Sequence, residues 1–118
     1  MDSSALERAL AEALEPKPKD GHGLWQWQRT PDGQYRFWPR QFTTDGNAML
    51  RLIEAMRGQP QQFSIKVRVC RREGDYIVEF VPNEPGYVQA NDSSLPLAVA
   101  TAAAKALGVW VEGSCSPV

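Results

Sequence analysis

Six alanines, Ala98, Ala100, Ala102, Ala103, Ala104 and Ala106, fall within the short stretch between Ser94 and Gly108. No other part of the chain restricts the fold as strongly. Ala is the best helix former and leaves little bulk, so a helix built from it can lie close against a neighbouring layer. The flanks agree with this reading. Ser94 can cap the first turn, Asp92 adds negative charge there, Pro96 is tolerated in that turn, and Gly108 offers a left-handed stop. The rest of the chain is expected to pack on this helix. Leu97–Leu107 supplies a packing surface and no chemistry. Functional interest at this end therefore narrows to Asn91–Ser94 and to the loop holding Tyr87.

Two further helices are expected. Ser4-Ala-Leu-Glu7 has the form of a capping box, and Leu6, Ala9, Leu10, Ala13 and Leu14 follow at helical spacing, giving an amphipathic helix over about residues 4–15. Pro16 and Pro18 stop it. Phe42-Thr43-Thr44-Asp45 opens another helix, whose apolar stripe is Met49, Leu52, Ile53 and Met56 and whose end is marked by Gly58 and Pro60.

Strands fill the gaps. Leu24-Trp-Gln-Trp-Gln-Arg29 and Gln34-Tyr-Arg-Phe-Trp38 both alternate, and Thr30-Pro-Asp-Gly33 between them is a turn, so residues 24–38 form a hairpin. Phe63-Ser-Ile-Lys-Val-Arg-Val69 alternates with Phe63, Ile65, Val67 and Val69 inward. Tyr76–Val81 returns as its antiparallel partner after a turn at Arg72–Asp75, and Pro82 ends it. Residues 83–92 read as a loop. Val109-Trp-Val111 either adds an edge strand or lies on the core, and the tail beyond it reads as mobile. The order α-ββ-α-ββ-α favours α+β with antiparallel pairing, a helix/sheet/helix sandwich of about residues 4–108 with an extension over 109–118.

The 118 residues suit one domain with one core. Thirteen basic against 14 acidic side chains give a net charge of −1, which argues against bulk electrostatic binding to duplex DNA or to an anionic membrane. No apolar run reaches the roughly 20 residues of a membrane span, and the N-terminus lacks the features of a signal peptide. Cys70 and Cys115 are too few for a disulfide scaffold and have no metal-ligand spacing. A soluble, cytoplasmic domain is the expectation.

Catalytic signatures are missing. The sequence has no phosphate loop, no dinucleotide fingerprint and no zinc-protease motif, so neither a cofactor nor a metal is implied. The lone histidine, His22, lies in a Lys-, Asp- and Gly-containing linker, a poor base for precise geometry. Turn and surface roles explain Asp75 and Glu79. Arg71 beside Cys70 can lower the thiol pKa, but a structural thiol is the simpler reading. A non-enzymatic protein is expected.

Taken in order, Leu6–Leu14, the aromatic strands of Leu24–Trp38, the helix opening Phe42–Asp45, the hairpin Phe63–Val81 and the opening Asp92–Ala98 of an Ala-rich helix resemble the phage ABA sandwich domain family. This resemblance spans about residues 4–108. The Trp-rich hairpin and the extension from Val109 are departures from it. It implies a phage or prophage origin, a bacterial host cytoplasm and a helix/sheet/helix sandwich, and it brings no catalytic residues.

Two constellations can bind a partner. Trp25, Trp27, Arg29, Tyr35, Arg36, Trp38 and Arg40 interleave flat rings with guanidinium groups, the combination needed to stack on a nucleobase beside a phosphate. The alternative is that Trp25, Trp27, Tyr35 and Phe37 are core, with Arg36 and Trp38 on the wet face. The helix openings Thr43-Thr44-Asp45 and Asn91-Asp92-Ser93-Ser94 present amides and a positive dipole end to an anion, unless the acidic caps occupy them. With Tyr87, these residues set the first expectation: capture of a small nucleotide-like ligand, a host defence signal. A second is an inhibitor or assembly module that binds a host or phage protein through exposed Trp and Arg. A third is nucleic-acid binding through Lys66, Arg68, Arg71 and Arg72. A homodimer is plausible, because a short sheet leaves open edges and Trp110 needs cover.

Overall fold

The computed structural model describes residues 2–17, 23–70, 74–83 and 86–110. His22, Arg71, Arg72, Cys115 and the tail from Val111 lie outside those residues. The elements are α1 (Ser3–Leu14), β1 (Trp25–Arg29), β2 (Tyr35–Pro39), α2 (Gly46–Arg57), β3 (Ser64–Cys70), β4 (Asp75–Val81), β5 (Val88–Asp92) and α3 (Leu95–Leu107). Among the described residues, three helices with two antiparallel sheets make the fold α+β.

The Ala-rich helix α3 is enclosed. Ala98, Val99, Ala100, Ala102, Ala103 and Ala104 are all buried, which takes in most of its circumference. On it pack β4 and β5, contributing Val78, Phe80 and Ala90, together with α1, contributing Leu6 and Leu10, and α2, contributing Leu52 and Met56. Its ends are as the sequence indicates. Ser94 is the N-cap, its hydroxyl accepting from the Leu97 amide, and Asp92 Oδ1 accepts from the Ser94 amide at 2.9 Å. Gly108 takes φ +74°, and the Val109 amide reaches back to the Ala104 carbonyl at 3.0 Å, the long closure of a Schellman motif. Trp110 follows the same path, half-buried against the core with Lys105 Nζ 5.9 Å from its ring centroid.

Four features depart from expectation. The first concerns layering: α3 occupies the middle of the molecule, and no other described helix packs extensively on the three-stranded sheet β3-β4-β5. Small side chains on every face of α3 let strands and helices approach it from different sides. The hairpin β1-β2 is a separate sheet. The second is β5, which forms within the segment read as a loop. It pairs antiparallel with β4, from Val88 opposite Phe80 to Asp92 opposite Tyr76, so tertiary pairing overrides a weak local pattern. The third is the N-cap of α1, which is Asp2, its carboxylate accepting from the Ala5 amide at 2.7 Å; Ser4 lies inside the helix. The last is β3, where Phe63 just before the strand is buried but Val67 is 46% exposed and Val69 61%. Both face the same side as buried Val78, yet α3 stands over β4 and β5 and leaves this edge uncovered.

The hairpin is clasped to α1. Glu15, the C-cap of α1, accepts the Trp25 indole N–H on its carbonyl at 2.7 Å and the Leu24 amide on its carboxylate at 2.8 Å. Arg40 Nε donates to the Gly23 carbonyl at 2.7 Å, and the Arg40 amide donates to the Leu24 carbonyl at 2.9 Å. A Cβ at Gly23 would overlap the Glu15 carboxylate, so a larger residue there would push that flexible side chain off the Leu24 amide. Beyond the clasp the two strands run on to a turn in which Gly33 adopts φ +86° and the Thr30 amide donates to the Gln34 carbonyl at 2.7 Å.

Candidate binding surface

Register decides which hairpin residues share a face. Opposite residues on antiparallel strands point the same way, so Trp25 with Pro39, Trp27 with Phe37 and Arg29 with Tyr35 form one face. Gln26 with Trp38 and Gln28 with Arg36 form the other. The candidate hairpin residues are therefore split between two surfaces.

The first face changes character along its length. Trp25 is buried at the clasp. Two residues further on, Trp27 is 49% exposed, stacked on Phe37 with centroids 4.1 Å apart and meeting Tyr35 edge-on at 6.4 Å. Tyr35 is 64% exposed and Arg29 beside it is also exposed. The expectation that Trp27 and Tyr35 belong to the core does not hold, whereas it does for Trp25. Cover runs out because only the start of β1 and the end of β2 lie against α1. What remains is an open aromatic platform with a guanidinium at its end.

The second face borders a cleft of about 290 Å³ lined by Ser4, Glu7 and Arg8 of α1, Gln26, Gln28, Trp38 and Pro39 of the hairpin, and Gln41. The Arg8 guanidinium carbon lies 5.9 Å from the ring centroids of both Trp25 and Trp38. The charge here is mixed. Arg8 has Glu12 at 3.7 Å, and the Glu7 carboxylate accepts from both the amide and the hydroxyl of Thr43, at 3.2 and 3.0 Å. Arg36 is exposed on the same face. Arg8, Gln26 and Gln28 escaped the sequence reading. Hairpin register could have placed both Gln residues beside Trp38, but nothing in the helix pattern marks Arg8.

The remaining candidates have local tasks or lie elsewhere. Arg40 belongs to the clasp; burial, followed by the positive charge of Arg51, pulls its pKa below the ordinary value. Thr43 is buried on Glu7 and joins the start of α2 to α1. Thr44 is exposed, its amide donating to the Gln41 carbonyl at 3.2 Å. Asp45 caps α2 by accepting from the Asn47 amide at 3.1 Å, so an acidic side chain already answers that helix end. At α3, Ser94 is the cap, Ser93 is exposed, and Asn91 sits on the outer row of β5 opposite Ile77. Exposed Tyr87 borders a shallow groove of about 250 Å³ with Phe63, Phe80, Pro82 and Val88. The Tyr87–Ser94 group belongs to the three-stranded sheet and the start of α3, and the hairpin packs on α1. The two groups do not converge on one pocket.

Among the described residues no cluster of His, Cys, Asp or Glu could hold a metal ion, and no helix is long and apolar enough to cross a membrane. No family model, curated protein or solved structure matches the chain.

Proposed function

We propose that this is a non-catalytic binding module that engages a protein partner through the outer half of the β1-β2 hairpin. The observation that supports this reading most is the Trp27–Phe37–Tyr35 platform, held out on a two-stranded ribbon with both Trp27 and Tyr35 exposed. Rigid aromatic rings with an Arg at the rim are the side chains that dominate binding energy at protein interfaces. A shallow, open surface suits a protein better than a small ligand, which needs most of its area enclosed. The likeness of residues 4–108 to phage ABA sandwich domains adds a setting to the proposal: a phage or prophage product that interferes with a host component. Recovery of the partner from host extract on immobilised protein is the test. The double variant Trp27→Ala/Tyr35→Ala should lose it while its circular dichroism stays unchanged. Undiminished recovery by that variant would contradict the proposal.

The cleft beside Trp38 favours a second reading, capture of a small nucleotide-like ligand. Trp38 offers a stacking ring, and Gln26, Gln28 and Arg8 offer polar contacts in a volume near the lower end for small-ligand sites, about 300 Å³. Glu7 and Glu12 beside Arg8 make the cleft a poor match for several phosphates, which ranks this reading second. Titration calorimetry with cyclic and ADP-ribose-type nucleotides decides it: heat that vanishes in Trp38→Ala supports it, and no heat discards it.

A further inference from the structure

We infer that the free edge of β3 is a strand-addition site for an extended segment of a partner protein in which acidic and apolar residues alternate. This surface is separate from the hairpin face and rests on different residues. Among the described residues β3 is the terminal strand of the three-stranded sheet, seven residues long and hydrogen-bonded on one side, to β4. On its other side alternate N–H and C=O groups face outward, a ready template for another strand.

Its side chains form two rows with different requirements. Ile65, Val67 and Val69 lie on the α3 side, opposite Phe80, Val78 and Tyr76. Val78 and Phe80 are fully buried, whereas Val67 and Val69 are open because the cover given by α3 ends at β4. An added strand with apolar residues in this row would continue the inner face of the sheet and shield both valines. The opposite row holds Ser64, Lys66 and Arg68, all exposed. Arg68 Nη2 bonds Glu79 Oε1 at 2.7 Å, and Glu79 also stands opposite Lys66, while Asp75 lies on the same row of β4 opposite Cys70, so the acids of this face sit on the inner side, on β4. An added strand would lie directly beside Lys66 and Arg68, the charged residues of this row on β3, and is best matched by acidic residues.

The same charges argue against a second copy as the occupant. A two-fold antiparallel pairing of β3 with itself centred on Val67 puts Lys66 opposite Arg68 of the copy, twice. Centring on Lys66 or on Arg68 sets each against itself. Like charges directly opposite are destabilising, and basic residues on an edge are a common guard against self-association.

The experiment is fluorescence polarisation of the full chain with three labelled eight-residue peptides. One alternates Glu and Val, one alternates Lys and Val, and the third is the Glu/Val peptide with alternate backbone amides N-methylated along one edge. The Glu/Val peptide should bind at least tenfold more tightly than the Lys/Val peptide, and N-methylation should abolish binding. Hydrogen exchange should slow at Ser64–Cys70 when the Glu/Val peptide is added. In Lys66→Glu the preference for the acidic peptide should shrink severalfold, and light scattering should show new dimer, since the substituted side chain would then face Arg68 of the copy. Trp27→Ala should leave peptide binding unchanged. The inference is overturned by absence of saturable Glu/Val binding, by equal binding of the acidic and basic or methylated peptides, or by protection confined to other strands.

Discussion

Trp25 and Trp27 lie two residues apart on one face of one strand, and the clasp separates their roles. Trp25 is buried with its indole N–H on the Glu15 carbonyl, so Trp25→Phe should cost about 1–3 kcal/mol by leaving that carbonyl without its donor. Trp27 packs on Phe37 and is 49% exposed, so Trp27→Ala should cost only about 1 kcal/mol, near the worth of an aromatic pair. Urea denaturation of both variants measures the contrast. A loss at Trp27 as large as at Trp25 would mean that the outer hairpin is core and not contact surface. Asp32 reports on the turn beyond. Its carboxylate accepts from the Thr30 hydroxyl and the Gln34 amide, and these bonds, the first above all, hold its pKa below the ordinary value. A carboxyl lowered in the folded state stabilises the turn above the ordinary Asp pKa of about 3.9 and loses that contribution as pH falls through the lowered folded value. NMR should show the Asp32 carboxyl and the Gln34 amide titrating together below about pH 3.9, and Asp32→Asn should remove the transition at the amide. The sequence alternation showed that both Trp side chains share a face. It could not show where along that face the cover stops, because α1 supplies the cover from elsewhere in the chain.

At the scale of elements, α3 was legible because its signals are local: Ser94 at one end, Gly108 at the other and small residues between. Its enclosure sets a steep limit on size. Ala103→Leu adds three carbons at a fully buried position and should destabilise the protein by about 1–3 kcal/mol or more. Ala106 is half-buried beside the groove that Tyr87 borders, so Ala106→Leu should cost clearly less. Thermal melts of the two variants make the comparison, and equal losses would contradict the placement of α3 at the centre. Elements that depend on distant partners were harder to read. Val88–Asp92 alternates only weakly and ends in Asn91-Asp92, which resembles a helix opening; pairing with β4 makes it a strand. Val67 and Val69 obey the inward rule for a strand face, but that rule assumes a covering layer of full width, which α3 does not provide.

Across the whole molecule, the principal extents of 47 × 32 × 25 Å and a radius of gyration of 14.6 Å describe an elongated shape. A compact chain of this length is expected near 13.5 Å. The candidate site was legible as a set of residue types and not as a place. The Trp, Tyr and Arg residues of the hairpin do carry the exposed rings, but register divides them between two faces, and Arg8 and Gln26 join only through packing on α1. Tyr87, Asn91 and Ser93 resembled parts of the same site by chemistry, and the fold assigns them to the other sheet. The binding proposal is tested most directly by a photo-crosslinking residue placed at position 35, with a control at exposed position 57 at the end of α2, in host cells producing the protein. Position 35 should yield one crosslinked partner protein that disappears when Trp27→Ala is added, and position 57 should yield none. Crosslinks of equal yield and identity at both positions, or a position-35 product indifferent to Trp27→Ala, would contradict it.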